Sequence, residues 1–173
     1  MKVASANLHD LGPPQGFEYM LRAVSHLPAN HGRGASIDTI TLAHDERRLR
    51  RKLLTCAGGT EVMVDFPSTI TLEHNGALEL DDGRVVTVLA APELLYQINA
   101  SSTAQLVQLA WHIGNRHTPA QLEADRILIK RDHVLRTMLE GLGAQLKDVT
   151  EPFYAEHGAY HSHGDSGHAL RAR

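Results

Sequence analysis

Short alternating segments with tight turns between them dominate residues 21–89. Val62, Val64 and Phe66 fall on one side of such a segment, and residues 37–42 alternate in part. Alternation of apolar and polar residues is typical of a strand with one buried face. The pattern predicts a small β domain.

Two dipeptides in this half are typical turn sequences. Asn75-Gly76 predicts a hairpin between strands at 69–73 and 77–80, because both central residues of its turn need a positive φ. Asp82-Gly83 predicts a turn into a strand at 84–89. One helix is predicted, over residues 45–54.

The second half has a mixed pattern. Ser102 or Thr103 can cap the first predicted helix, Gly114-Asn115 ends it, and Asp132 can cap the second. The predicted elements are a strand at 94–98, a helix at 101–113, a strand at 126–130, a helix at 133–142 and a strand at 144–149. The predicted order is β-α-β-β-α-β, the split βαβ arrangement, in which only one of the two central strands is placed, at 126–130. From Glu151 onward the chain is polar and rich in glycine, and we expect disorder there without a ligand.

Composition excludes several classes of protein. The net charge of −3 and the 5% aromatic content argue against nucleic-acid binding. No segment approaches the roughly 18 apolar residues of a membrane span, and no secretory segment is evident. Cys56 is the single cysteine, which fits a reducing compartment. We therefore expect a cytoplasmic protein without a membrane or nucleic-acid partner.

Histidine is enriched, with twelve residues in the chain. Imidazole is the commonest side-chain ligand for nickel, copper and zinc near neutral pH. His117 is predicted to follow a helix C-terminus, where the negative end of the dipole favours a cation. The alternative is that its side chain caps the last carbonyl groups. His112 lies about 140° away around a helix, so the two cannot form a pair on one face.

Four more histidines lie in the polar tail. His161 and His163 are two residues apart, so both point to the same side of an extended chain and can chelate one ion. His157 and His168 can add to this site. The alternative is a solvated tail that merely contains histidine.

Other residues are further candidates for binding a metal or a partner. His133 heads a predicted helix and can either cap it or bind metal, and Cys56 has no C-x-x-C partner. Residues 47–52 form a basic cluster, interpreted as a solvated helical face that can also dock an acidic partner. The sequence contains no recognisable catalytic triad, phosphate loop or carboxylate pair, so we do not expect an enzyme.

Three stretches carry a specific resemblance. Gly114-Asn115-Arg116-His117, residues 131–134 and residues 152–160 resemble the urease accessory protein UreE family of nickel metallochaperones, over about residues 20–168. Residues 1–19 fall outside the family pattern. The resemblance implies an α+β protein, with a β-rich, partner-binding N-terminal domain at 20–91 and a ferredoxin-like metal-binding domain at 92–152. A disordered histidine-containing tail at 153–173 follows, and residues 1–19 form an N-terminal extension.

The resemblance also implies a homodimer in which His117 of each subunit binds one ion, completed by tail histidines. Nickel would pass to the urease apoprotein through an accessory GTPase. In some members a histidine pair occupies the positions of Arg131 and His133, and here only His133 remains of that pair. Zn²⁺ or Cu²⁺ can bind the same imidazoles. The alternative function is a protein-interaction module whose histidine tail is a passive divalent-metal buffer; a metal-dependent hydrolase is a third, weaker alternative.

Overall fold

The computed structural model describes residues 20–156, which form a mixed α+β structure with two sheets. Its elements are β1 (Leu21–Leu27), β2 (Asp38–Leu42), α1 (His44–Arg47), β3 (Arg48–Thr55), β4 (Glu61–Thr71), β5 (Ala77–Leu80), β6 (Val85–Ala90), β7 (Pro92–Asn99), α2 (Thr103–Gly114), β8 (Ala120–Leu122), β9 (Arg126–Lys130), α3 (His133–Gly141) and β10 (Gln145–Pro152). No helix in this part of the chain is long and apolar enough to cross a membrane.

The first sheet has six strands in the order β2-β6-β5-β1-β4-β3. The predicted alternation in β4 is confirmed, because Val62, Val64 and Phe66 are all buried in one apolar cluster. The Asp82-Gly83 turn is confirmed as the link between β5 and β6, which pair in antiparallel fashion.

The hairpin predicted around Asn75-Gly76 is wrong in its pairing. The turn itself forms, with Asn75 at φ 60° and the Gly76 N–H bonded to the Glu73 carbonyl. However, β1 lies between β4 and β5 and pairs with both. Gly76 is required at this position because a Cβ atom there would lie 2.6 Å from the carbonyl oxygen of Leu27. A long-range strand, which local turn chemistry does not encode, therefore separates the two predicted partners.

The helix predicted over residues 45–54 is also wrong. Only α1, four residues long, is helical, and β3 follows at once and pairs with β4. The basic cluster is therefore divided between two environments. Arg47 is buried, whereas residues 48 and 50–52 are exposed on a strand and not on a helical face. Cross-strand pairing has overridden local helix propensity here.

The second sheet has four strands in the order β10-β7-β9-β8, each antiparallel to its neighbour. The predicted caps are confirmed: Ser102 accepts the N–H of Gln105, and Asp132 accepts two N–H groups of α3. Both helices pack on one face of this sheet. Buried side chains of that layer include Ile98, Leu109, Ile113, Ile129 and Leu139.

Residues 153–156, here called the crossing segment, cross the opposite face of the second sheet. Phe153 is fully buried against Leu95 and Leu128, which lie on the side of the sheet away from the helices. β10 and β8 are the two edge strands, and Glu156 donates its N–H to Ala120 of β8. The expectation of disorder from Glu151 is therefore wrong for residues 151–156.

A buried arginine and an ion-pair cluster join the two sheets. Arg47 donates to the carbonyl groups of Leu72 and Phe153, so its guanidinium ties the end of β4 to the crossing segment. Lys130 lies 2.7 Å from Asp45 and 2.9 Å from Glu93. The arginine therefore links the crossing segment to the end of β4, and Lys130 links the second sheet to α1.

Candidate metal centre

His117 lies just after α2, in a turn that exposes its side chain. The helix ends at Gly114 as predicted, and residues 115–117 form the turn. His117 has φ 53°, in the left-handed region that residues other than glycine seldom occupy. This backbone conformation turns the chain sharply and leaves the imidazole exposed to solvent.

The carbonyl groups at the end of α2 are satisfied without the His117 side chain. The N–H groups of Asn115, Arg116 and His117 bond to Trp111, Ile113 and Gly114 respectively. The guanidinium of Arg116 donates to the carbonyl of His112 at 3.0 Å. Within the described residues the His117 imidazole has no hydrogen-bond partner. The alternative of a capping histidine is therefore wrong, and both ring nitrogens are available to a ligand.

The chain returns to β8, the strand after this turn, at the end of the described structure. Glu156 donates its N–H to the carbonyl of Ala120 at 2.8 Å, and Tyr154 donates to the side-chain oxygen of Gln121 at 2.8 Å. Ala120 is three residues after His117, so their Cα atoms are within roughly 10 Å. The segment that leads into the histidine-containing tail thus begins within roughly 15 Å of His117.

His133 has different surroundings. It is the exposed first residue of α3, where Asp132 already caps the helix N-terminus. The positive end of a helix dipole disfavours a bound cation, in contrast to the C-terminal end near His117. Arg131, two residues earlier, donates to the carbonyls of Leu95 and Val149 and so joins strands.

The remaining predicted candidates are less suited or lie elsewhere. His112 is half buried with its ring against Trp111, as expected for a structural residue. Cys56 is buried, and burial raises the pKa of its thiol to about 11, so it stays protonated at neutral pH. His157, His161, His163 and His168 lie outside the described residues.

Residues 20–156 contain no cluster of three or more histidine, cysteine, aspartate or glutamate side chains positioned to hold a metal. A site at His117 therefore needs donors from elsewhere, either the tail or a second copy of the chain. The geometry provides one exposed imidazole, and the strand that follows it holds the start of the tail.

Sequence reasoning missed the contact between residue 156 and β8. The signal available was Phe153, a large apolar residue in an otherwise polar C-terminal segment, which indicates an anchor. It also missed an exposed apolar stripe on α2. Val107 and Trp111 are one turn apart and are 65% and 64% exposed.

Known proteins match the chain over most of its length. Residues 17–91 match the family model described as UreE urease accessory protein, N-terminal domain, and residues 93–172 match the C-terminal domain of the same family. A urease accessory protein UreE from Rhizobium rhizogenes is 47% identical over 86% of this chain and 89% of its own length. Its counterpart from Agrobacterium fabrum is 48% identical over 86% and 92%, and one from Ruegeria is 54% identical over 73% and 70%. The chain belongs to the UreE family of urease accessory proteins, which are metallochaperones of urease maturation and not enzymes.

Proposed function

We propose that this protein is a cytoplasmic nickel carrier that delivers Ni²⁺ to the urease apoprotein through the accessory GTPase complex. The observation that carries the proposal is the exposed imidazole of His117, on the turn before β8, the strand to which the start of the tail is hydrogen-bonded. A carrier must release its ion. A site made of a small number of exposed imidazoles suits that requirement better than a closed thiolate cage does.

Tail length supports coordination by tail histidines. His161 and His163 are five and seven residues after Glu156, so an extended chain spans at most about 18 and 25 Å to reach them. Both distances exceed the largest separation of Glu156 from His117, which is roughly 15 Å. His157 and His168 are further candidates, and His133 is the least suited because of its position at a helix N-terminus.

The ligand count supports a homodimer. One imidazole from the folded part is too few for a transition-metal site, and a residue near a twofold axis contributes twice. The Val107 and Trp111 stripe lies on the helix that ends at the His117 turn, so we propose it as the contact between subunits. Exposed large apolar side chains at helical spacing are typical of an interface.

The two sheets support a proposed domain organisation. We propose a partner-binding unit at residues 20–91 and a ferredoxin-like metal-binding unit at 92–152, followed by the tail. The strand order β10-β7-β9-β8 supports the second assignment.

Calorimetric titration of the full chain with NiCl₂ tests the proposal. We expect a tight site at half an ion per chain in the dimer. His117→Ala removes it, because the shared ligands are lost. His26→Ala is the matched control, since it changes an exposed histidine on the first sheet.

Two results would contradict the site. One is unchanged affinity and stoichiometry in the His117→Ala protein. The other is a site of one ion per chain that disappears only when residues 157–173 are removed, which would favour the passive-buffer alternative. Competition with Zn²⁺ and Cu²⁺ in the same cell measures selectivity, which imidazole chemistry alone does not set.

A further inference from the structure

The strand β3 forms one edge of the six-stranded sheet. It pairs with β4 on one side, and no strand among residues 20–156 pairs with its other side. Its ends are tied: Ala57 donates its N–H to Thr39, and Leu72 donates to the carbonyl of Arg47. An edge strand leaves about half of its N–H and C=O groups free to pair with another chain. β3 therefore offers a backbone ladder to a partner.

Positive charge is concentrated on this strand. β3 carries exposed cations and no acidic residue: Arg48, Arg50, Arg51 and Lys52. Arg51 lies 3.6 Å from Asp65 and is 76% exposed, and Lys52 lies 3.2 Å from Glu46. Exposed pairs of this kind contribute little energy. Arg48 and Arg50 have no carboxylate partner within the described residues. These four cations, here called the basic strip, are concentrated on one strand although the whole chain has a net charge of −3.

An apolar position lies within the basic strip. Leu53 is 43% exposed and lies opposite Met63 of β4, while Arg51 lies opposite Asp65. A strand added to β3 would place alternate side chains beside Leu53 and Arg51, since cross-strand neighbours on one face are about 5 Å apart. This arrangement suits a partner in which acidic and apolar residues alternate.

We infer that the β3 edge binds an extended acidic segment of a partner protein by strand addition. Backbone hydrogen bonds would supply affinity, and the four cations would select the charge of the segment. A second copy of this chain is disfavoured, because two such edges would bring eight like charges together. Nucleic acid is disfavoured because β3 has no aromatic residue for base stacking.

This interaction rests on the proposed partner-binding unit at residues 20–91 and is separate from metal binding. β3 belongs to the first sheet, and His117 follows α2 at the second sheet. A His117→Ala protein should therefore bind the acidic segment with the same affinity as the unchanged protein. If experiment contradicts the proposal for one site, the proposal for the other can still be tested.

Fluorescence anisotropy of the full chain with labelled peptides tests the inference. The probe is a synthetic peptide of alternating Glu and Val. The first comparison peptide replaces Glu with Lys. The second keeps the acidic residues but replaces Val with Pro, which lacks the N–H that strand pairing requires. We expect binding of the Glu-Val peptide alone.

Charge reversal provides the matched variants. Arg50→Glu with Arg51→Glu should weaken binding of the Glu-Val peptide by roughly tenfold or more, because attraction becomes repulsion at two cross-strand positions. Lys147→Glu is the control, since Lys147 is exposed on β10, another edge strand. It should change the affinity by less than about twofold.

Hydrogen exchange gives a readout independent of charge. Binding of the Glu-Val peptide should slow exchange at the outward-facing amides of β3 and leave those of β10 unchanged. Equal affinity for the proline peptide, or for a single-stranded oligonucleotide of equal charge, would overturn strand addition. Unchanged affinity in the double charge reversal would overturn the location, provided that circular dichroism shows the variant to be folded.

Discussion

The backbone N–H of Glu156 lies 2.8 Å from the carbonyl oxygen of Ala120 and donates a hydrogen bond to it. This bond joins the end of the crossing segment to the edge strand that follows His117. The start of the tail is thereby held at one place instead of sampling the surface. Confining a ligand-bearing segment raises its effective concentration at the site.

Gln121→Ala tests this confinement without removing a metal ligand. The Gln121 side chain accepts the N–H of Tyr154, and a neutral hydrogen bond contributes about 1 kcal/mol. We expect nickel affinity, measured by calorimetry, to fall by up to about fivefold. Gln145→Ala, an exposed glutamine on β10, is the control and should leave affinity unchanged. Equal affinities in the two variants would show that the contact does not position the tail.

Arg47→Met should destabilise the fold, although methionine has a flexible side chain of similar length that can fill the same space. Arg47 is 5% exposed and donates to the carbonyls of Leu72 and Phe153, which the change leaves without their donor. Hydrogen bonds from a charged group contribute about 1.5–3 kcal/mol. We expect the free energy of unfolding in urea to fall by about 2 kcal/mol.

Arg48→Met is the control for that measurement. Arg48 adjoins Arg47 in sequence but is exposed and has no ion pair within the described residues. Its substitution should change the free energy of unfolding by less than about 0.5 kcal/mol. Equal effects of the two substitutions would mean that the buried guanidinium does not hold the sheets together.

Local signals predicted the second half of the fold well. The caps at Ser102 and Asp132 and the stop at Gly114 all act within a few residues, so the sequence alone is enough to find them. The first half depended on pairing between distant segments. Insertion of β1 between β4 and β5, and the switch from helix to strand after Arg47, are set by tertiary contacts that short patterns do not contain.

The candidate site shows the same division. The position of His117 after a helix end could be inferred from Gly114-Asn115. The left-handed backbone of His117 and the return of Glu156 to Ala120 could not, because both depend on how the turn and the crossing segment pack. The sequence thus predicted that an imidazole at the end of α2 is available to a metal ion, but not how further ligands approach that ion.

Asp38→Asn should lower stability in a manner that depends on pH. The N–H of Gly58, the Thr60 side chain and the N–H of Thr39 lower the pKa of Asp38 to about 2, from 3.8. Because the folded-state pKa is the lower one, the ionised carboxylate contributes stability above about pH 4, and this contribution is lost as the pH falls through about 2. Urea midpoints should therefore differ between the two proteins at neutral pH and converge near pH 2. A difference that does not vary with pH would exclude the charge as its cause.

Trp111→Glu should convert the proposed dimer to monomer. Trp111 and Val107 form an exposed apolar stripe on α2, and a carboxylate in the centre of such a contact would be buried without a partner. Sedimentation velocity should show the loss of the dimer, and calorimetry should show the loss of the site at half an ion per chain, because the two His117 residues can no longer share one ion. Val24→Glu changes a side chain that is 57% exposed on β1 and should leave both properties intact. A Trp111→Glu protein that stays dimeric would place the subunit contact elsewhere, and one that becomes monomeric but still binds half an ion per chain would contradict the shared site.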